Sequence, residues 1–137
     1  MTPEIRPAPR RGLFEDQFWE YVAQEQLRLQ QCVDCGRFRY PSGPACPGCL
    51  AAEFTWERLC GKGTLLSWTV FRRQYFPELP VPYVVAAVRT DEGPILVGNL
   101  VGYGDREIVH DMPVRVVFEE VASSAGPRRI CQWTPAN

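Results

Sequence analysis

The chain has 137 residues, a formal net charge of −1, and 45% apolar and 23% charged residues. Its length suits one compact unit with a small appendage, and its composition is that of ordinary globular proteins. The balanced charge argues against a nucleic-acid partner, because phosphate binding depends on an excess of basic residues. Neither a run of 18 apolar residues nor an apolar leader segment is present, so we expect no membrane span and a cytoplasmic location.

The N-terminal part of the chain predicts an arm followed by a helix. Residues 1–12 are rich in proline and arginine and are interpreted as a flexible arm. In residues 13–26, Phe14 and Phe18 lie four positions apart with Trp19 beside them, which is typical of one apolar helix face. This face either covers the rest of the fold or binds a partner protein, since Phe and Trp are frequent interface hot spots.

Residues 27–52 contain two Cys-x-x-Cys pairs, Cys32 with Cys35 and Cys46 with Cys49. Two such turns can supply four thiolates to one ion in a tetrahedron, the closed arrangement of a structural zinc site. Iron also suits four thiolates. Two disulfides would fit an exported protein, and a redox pair would fit a strand–helix unit, and neither context is predicted here. A closed site leaves no position for water, so we do not expect the ion to act as a Lewis acid.

The rest of the chain, residues 53–137, alternates short apolar segments with Gly-, Pro- and Asp-containing turns. Since no stretch of helical period interrupts them, a parallel βαβ sheet is not expected. Five or six short strands of this kind predict a small closed barrel, and we expect an OB fold. The predicted strands cover residues 53–60, 64–72, 83–90, 95–101, 114–121 and 128–133.

Few residues suggest catalysis. His110 is the single histidine and is expected to lie in a surface loop, although a general base is the alternative interpretation. Cys60 and Cys131 lie apart from the two pairs and are interpreted as small packing residues, because neither has a histidine near it in sequence.

The ordered set of motifs resembles a known family, the acyl-CoA-associated zinc-ribbon/OB-fold proteins, long filed as domain of unknown function number thirty-five. The resemblance runs from about residue 13 to the C-terminus. The matching segments are Phe18–Glu20, Leu27–Cys32, Cys35–Gly36, Pro41, Cys46–Cys49, Gly61–Thr64, Ser67–Val70, Pro82–Val85, Leu96–Leu100, Met112–Val114 and Val117–Glu120.

The resemblance implies a rubredoxin-like zinc ribbon packed on an OB-fold barrel. It also implies a small, non-catalytic subunit in a hetero-oligomer with a thiolase-like enzyme or an acyl-CoA hydratase, where the catalytic residues belong to the larger subunit. A CoA thioester would then be bound together with that partner. Two other functions stay open: a single-stranded nucleic-acid binder that stacks bases on Trp56, Trp68 and Phe71, and an enzyme that acts alone on acyl-CoA.

One loop combines the side chains that a CoA thioester would need. Arg72 and Arg73 offer guanidinium groups for phosphates, and Tyr75 and Phe76 offer rings for adenine or the pantetheine arm. We expect this loop to lie near the CoA or at the contact with the enzyme that holds it. The alternative is a solvated loop whose aromatic side chains cap the barrel.

Overall fold

The computed structural model describes residues 12–123 and 126–136, together with the backbone of Ile5–Arg6, a two-residue strand β1. The arm predicted for residues 1–12 therefore lies largely outside the described residues. Helix α1 (Glu15–Ala23) has nine residues, with Phe18 and Val22 buried. In the part of the chain that the structure describes, no helix is long and apolar enough to cross a membrane.

A small three-stranded antiparallel sheet follows the helix. It consists of β2 (Arg28–Cys32), β3 (Phe38–Arg39) and β4 (Phe54–Arg58), in the order β3-β2-β4. The strand predicted over 53–60 is therefore paired with β2, in register from Arg28↔Arg58 to Cys32↔Phe54, and does not join the barrel. The ribbon sheet extends beyond residue 52, because β2 needs a partner on each side to satisfy its backbone groups.

The remaining strands form a closed barrel. They are β5 (Lys62–Phe71), β6 (Tyr83–Thr90), β7 (Ile95–Leu100), β8 (Pro113–Ser123) and β9 (Arg128–Pro135). The pairing order β8-β5-β6-β7-β9 returns to β8 through a β8–β9 ladder, so five strands close on themselves. This is the predicted OB-like barrel, and the predicted fold class is confirmed. Strand β1 runs parallel to the end of β8.

One apolar core joins the three parts of the molecule. Strand β2 contributes Leu29, and the segment before it contributes Leu27, while α1 contributes Phe18 and Val22. Because side chains alternate along a strand, Gln30 and Cys32 point to the opposite side of the ribbon sheet from Leu29. The barrel members of the core are Leu65, Val84, Ala86, Val88, Leu96, Leu100, Val114 and Trp133.

Candidate metal centre

The four paired cysteines converge at one end of the ribbon. The Sγ atoms of Cys32, Cys35, Cys46 and Cys49 all lie within 4.8 Å of one another. Cys32 Sγ is 3.5 Å from Cys49 Sγ, and Cys35 Sγ is 3.5 Å from Cys46 Sγ. A zinc ion bound tetrahedrally at about 2.3 Å from each sulfur requires sulfur–sulfur distances of about 3.8 Å. The spacing and the chemistry of the donor set therefore fit a tetrathiolate metal ion.

The two Cys-x-x-Cys turns have the same backbone geometry. In the first, Cys32 N donates to Arg37 O (2.8 Å) and Gly36 N donates to Cys32 O (3.0 Å). In the second, Cys46 N donates to Ala51 O (2.8 Å) and Leu50 N donates to Cys46 O (2.9 Å). The residue after each pair is left-handed, with φ of 77° at Gly36 and 66° at Leu50.

Backbone amides favour the thiolate form of the first cysteine in each pair. A hydrogen bond from the backbone of Cys35 lowers the pKa of Cys32, and hydrogen bonds from the backbone of Cys49 and of Gly48 lower the pKa of Cys46 to about 6. The amide of Ala51 also lowers the pKa of Cys49, but the neighbouring Cys32 thiol and burial outweigh it and raise that pKa to about 12. Four thiolates together thus need a bound cation, which deprotonates a coordinating thiol.

The interior of the ribbon contains two polar residues that the sequence patterns did not single out. Arg39 is 2% exposed and Gln30 is fully buried, and the two lie directly opposite each other on β3 and β2. Alternation with the apolar Leu27 and Leu29 ordinarily places a polar residue such as Gln30 on the solvent-facing side of a strand. That side is buried because the loop that carries the second cysteine pair folds over it. A signal was present in the segment Phe38-Arg39-Tyr40, where an arginine alternates with two aromatic residues.

The residues predicted to lie near CoA are exposed in the loop between β5 and β6. Arg72 and Arg73 are exposed, and Tyr75 and Phe76 retain 61% and 50% of their accessible surface. The Arg73 guanidinium lies 5.4 Å from the Tyr75 ring centroid. The Phe71 ring contacts both Tyr75 and Tyr83, with centroid distances of 6.2 and 4.9 Å.

The three aromatic residues predicted for a partner interface differ in how deeply they are buried within the chain. Phe18 is 7% exposed and belongs to the core, and Trp19 is partly buried against it. Phe14 is partly buried, and its ring meets Phe54 edge-on at 6.3 Å. The apolar side chain of this region that stays open is Leu13, which is 87% exposed.

The remaining candidate residues are His110, Cys131 and Cys60. His110 is exposed, its Nδ1 lies 2.9 Å from Leu66 O, and its ring packs on Trp68 at 4.7 Å. Cys131 packs against the core, and burial raises the pKa of its thiol to about 11. The packing role predicted for Cys60 is wrong: this thiol is exposed, 3.8 Å from Asp91 Oδ2, since Cys60 lies in the turn beyond the end of β4.

The aromatic residues considered for base stacking are also partly buried. Trp56 and Trp68 pack against the apolar core, and Trp56 additionally contacts the rings of Tyr21 and Phe54. Their faces are thus largely taken up within the chain, which leaves little ring surface for a stack of bases.

Fold and cysteine cluster together define a zinc-ribbon domain joined to an OB-fold domain, and comparison with known proteins gives the same division. Residues 19–55 match the family described as ChsH2, rubredoxin-like zinc ribbon domain, and residues 56–119 match ChsH2, C-terminal OB-fold domain. Among solved structures, one described as Ltp2-ChsH2(DUF35) aldolase superposes with a TM-score of 0.82 at 32% identity, over 96% of this chain and 100% of that chain.

Two sequence relatives extend this finding. The chain is 30% identical over 107 residues to a DUF35 domain-containing scaffold protein of Methanothermobacter thermautotrophicus, covering 75% of this chain and 80% of the relative. It is 39% identical over 113 residues to a probable enoyl-CoA hydratase alpha subunit of Thermomonospora curvata, covering 80% of this chain but only 34% of that subunit, so that it spans about a third of that relative's length. The chain belongs to the DUF35 family of ChsH2-type zinc-ribbon/OB-fold proteins, and the predicted resemblance is confirmed.

Proposed function

We propose that this chain is a non-catalytic, zinc-stabilised subunit of an enzyme complex that processes acyl-CoA thioesters. The partner is a thiolase-like enzyme, that is a thiolase, an aldolase or an acyltransferase. In this complex the chain stabilises the partner and helps to form the channel for CoA and the acyl group. The observation that carries the proposal is the match over the full length of a chain from the structure described as Ltp2-ChsH2(DUF35) aldolase.

In this proposal Cys32, Cys35, Cys46 and Cys49 hold one structural zinc ion. The convergence of their sulfur atoms within 4.8 Å supports it. When bound, the ion would supply cross-linking of the two cysteine turns and no chemistry on substrate, because all four positions of a tetrahedron are taken by thiolates. Elemental analysis of freshly isolated protein is expected to give one zinc per chain. If iron is found in that amount, the assigned metal is iron. If neither zinc nor iron is found, this part of the proposal is refuted.

The exposed loop with Arg72 and Arg73 is proposed to lie beside the CoA. A groove of about 560 Å³ lies next to it, lined by Leu79–Val84 and Asn99–Gly104, and this volume is within the range of small-molecule sites. Tyr83 lines the groove and packs on Phe71, which connects the groove to the loop. The exposed guanidinium groups of Arg72 and Arg73 suit the phosphates of CoA.

The test of this loop is the affinity of the assembled complex for CoA. Arg72→Ala with Arg73→Ala is expected to weaken CoA binding about tenfold or more, with a smaller effect at high salt, since charged hydrogen bonds contribute roughly 1.5–3 kcal/mol each. The matched control is Arg89→Ala with Arg115→Ala, which removes the same charge from exposed positions on the barrel strands. An unchanged CoA affinity in the loop variant, or an equal loss in the control, would contradict a contact between this loop and CoA.

The N-terminal end of the helix is proposed to contribute to the partner interface, together with Phe14 and Trp19. Phe18 is buried in the chain's own core, so it packs the helix against the rest of the fold and is not available to a partner. Removal of residues 1–25 would therefore uncover the core and is a poor test. Leu13→Ser with Phe14→Ser is expected to release the partner while the melting temperature stays within a few degrees; Val97→Ser, on the exposed side of the barrel, is the control.

The identity of the partner is tested by purifying the tagged chain from its native host and identifying what is retained. Recovery of a thiolase-fold or aldolase subunit is the expected result. A hydratase subunit would keep the accessory role and replace the enzyme class. Ribosomal or replication proteins would overturn the proposal in favour of nucleic-acid binding, and acyl-CoA turnover by the purified chain alone would overturn its non-catalytic part.

A further inference from the structure

The two cysteine turns differ in what supports them. Cys32 is the last residue of β2, so the first turn is held by the ribbon sheet. The second turn, Cys46–Leu50, lies within residues 40–53, a stretch with no helix or strand. Its backbone hydrogen bonds to Cys46 are local to the turn. After the turn, Val33 N donates to Glu53 O (3.2 Å) and β4 begins at Phe54, so the sheet holds that end of the stretch. The rest of the stretch depends on side-chain contacts.

Two buried side chains contact the stretch that carries the second turn, Gln30 before the turn and Arg39 on both sides of it. Before the turn, Gly43 N donates to Gln30 Oε1 (2.8 Å), and Gly43 O accepts from Arg39 Nη1 (3.3 Å). After the turn, Arg39 Nη2 donates to Ala51 O (3.0 Å) and to Glu53 O (3.2 Å). Both Nη atoms of Arg39 also reach Ala52 O at 3.3 Å. One guanidinium group thus joins the two ends of the loop that carries Cys46 and Cys49.

The position of this guanidinium group is set by the ribbon sheet. Arg39 lies opposite Gln30 in the ladder between β3 and β2, and its Cζ atom is 5.0 Å from the centroid of the Phe54 ring on β4. Its acceptors are neutral carbonyl oxygens, and a buried cation paired with neutral groups is costly. Four thiolates around a divalent ion carry a net charge of −2 at the same end of the ribbon. Attraction to this charge offsets part of the cost of burying the Arg39 guanidinium.

We propose that Arg39, assisted by Gln30, is a positioning residue of the metal centre, which holds the second cysteine turn in place for coordination. This inference rests on the proposed zinc site. Replacement of a residue that orients the ligands of a metal ion typically lowers the metal affinity by about 10–100-fold. Lysine at position 39 keeps the charge but cannot reach carbonyls on both sides of the turn, because its single ammonium group lacks the planar fork.

The test is the zinc affinity of the full chain, measured by competition with a chromogenic chelator, for Arg39→Lys and for Arg28→Lys. Arg28 is a matched control: it also lies in the ribbon sheet, donates to a carbonyl (Trp56 O, 3.4 Å) and stacks on a ring (Tyr21, 5.1 Å). It is four residues from Cys32 along β2, or about 13 Å. Arg39→Lys is expected to bind zinc about 10–100-fold more weakly than the original chain. Gln30→Met should lose less zinc affinity than Arg39→Lys does, and the affinity of Arg28→Lys should stay within about twofold of the original.

The absorption of the cobalt-substituted proteins tells a weakened site from an unfolded ribbon. At saturating cobalt, Arg39→Lys is expected to show the same tetrahedral tetrathiolate bands as the original chain, since the ligands are unchanged. Equal zinc affinity in Arg39→Lys and the original chain, an equal loss in Arg28→Lys, or absence of the cobalt bands in Arg39→Lys would each overturn the positioning role. Failure of the original chain to bind zinc would instead contradict the proposed metal site itself.

Discussion

The ribbon and the barrel are stabilised by different interactions, although they share one apolar core. Inside the ribbon, the buried groups next to the cysteines are the polar side chains of Gln30 and Arg39. Inside the barrel, they are aliphatic residues such as Leu65 and Val88, with Trp133. The barrel therefore gains stability mainly from apolar area removed from water, and the ribbon mainly from directional hydrogen bonds and, in our proposal, from the metal ion.

This difference predicts that the two regions can be damaged separately. A hydrophobic core tolerates loss of one contact at a cost that grows with the cavity left behind. A metal-dependent module loses most of its stability when one ligand is lost, because apparent zinc-binding energies are roughly 10–16 kcal/mol in structural sites. Replacement of one residue in each region, with measurements specific to that region, tests the comparison.

The largest effect is expected for Cys46→Ser in the ribbon. Cys46 is completely buried in the cluster, and a serine hydroxyl is a poor ligand for zinc. We expect loss of the stoichiometric zinc and loss of hydrogen-exchange protection at the amides of Cys32 and Leu50, while the barrel amides of Val88 and Trp133 stay protected.

The control for this substitution is Cys60→Ser, which changes an exposed cysteine outside the cluster and should retain all of the zinc. Simultaneous loss of protection in the ribbon and the barrel of Cys46→Ser would show that the two regions unfold as one unit.

The next largest effect is expected for Leu65→Ala in the barrel. Leu65 is fully buried, so the substitution should lower the free energy of unfolding by about 2–5 kcal/mol, while the protein keeps its zinc. Urea denaturation followed by tryptophan fluorescence measures the first quantity and elemental analysis the second. Val97→Ala, at a site that is 60% exposed, should change stability by less than about 0.5 kcal/mol. Zinc loss in Leu65→Ala would contradict the separation of the two regions.

A smaller effect is expected for Gly63→Ala, at the position on β5 that pairs with Thr90 on β6. A Cβ atom at this position would lie 2.6 Å from Val88 Cγ1 and 2.7 Å from Arg89 O. Since a backbone oxygen cannot move away as a side chain can, we expect a loss of about 1–3 kcal/mol in the free energy of unfolding. Gly43→Ala, whose Cβ would meet only Pro41 O at 4.0 Å, is the control. Equal stability of the two variants would show that the strands separate without cost.

The barrel could be predicted from the sequence more completely than the ribbon. The strand predicted over 83–90 coincides with β6, because alternating apolar residues bounded by turn residues record which side of a strand is buried. The four cysteines were also evident, since their spacing is a chemical signature. The pairing of β4 with β2 and the burial of Arg39 were missed, because both depend on how the loop of the second cysteine turn folds back. Local patterns carry no information on such long-range contacts.

The smallest effect concerns the left-handed residue that ends each cysteine turn. Gly36 adopts φ of 77° without penalty, but Leu50 adopts φ of 66° with a side chain that is 78% exposed. A left-handed residue with a Cβ atom costs roughly 1–2 kcal/mol, and glycine adds a chain-entropy cost of roughly 0.5–1 kcal/mol. Leu50→Gly is therefore expected to stabilise the ribbon by about 0.5 kcal/mol, and Gly36→Leu to destabilise it by about the same amount or more.

These two substitutions distinguish the regions most finely, because neither changes a ligand or a buried contact. Slower zinc release from Leu50→Gly and faster release from Gly36→Leu, with urea unfolding of the barrel unchanged in both, is the expected pattern. If Leu50→Gly instead releases zinc faster, the leucine contributes more to the ribbon than its strain costs. If barrel unfolding instead shifts in the same direction as ribbon stability in each variant, the metal centre and the barrel are coupled through the shared core that includes Leu27, Leu29 and Phe18.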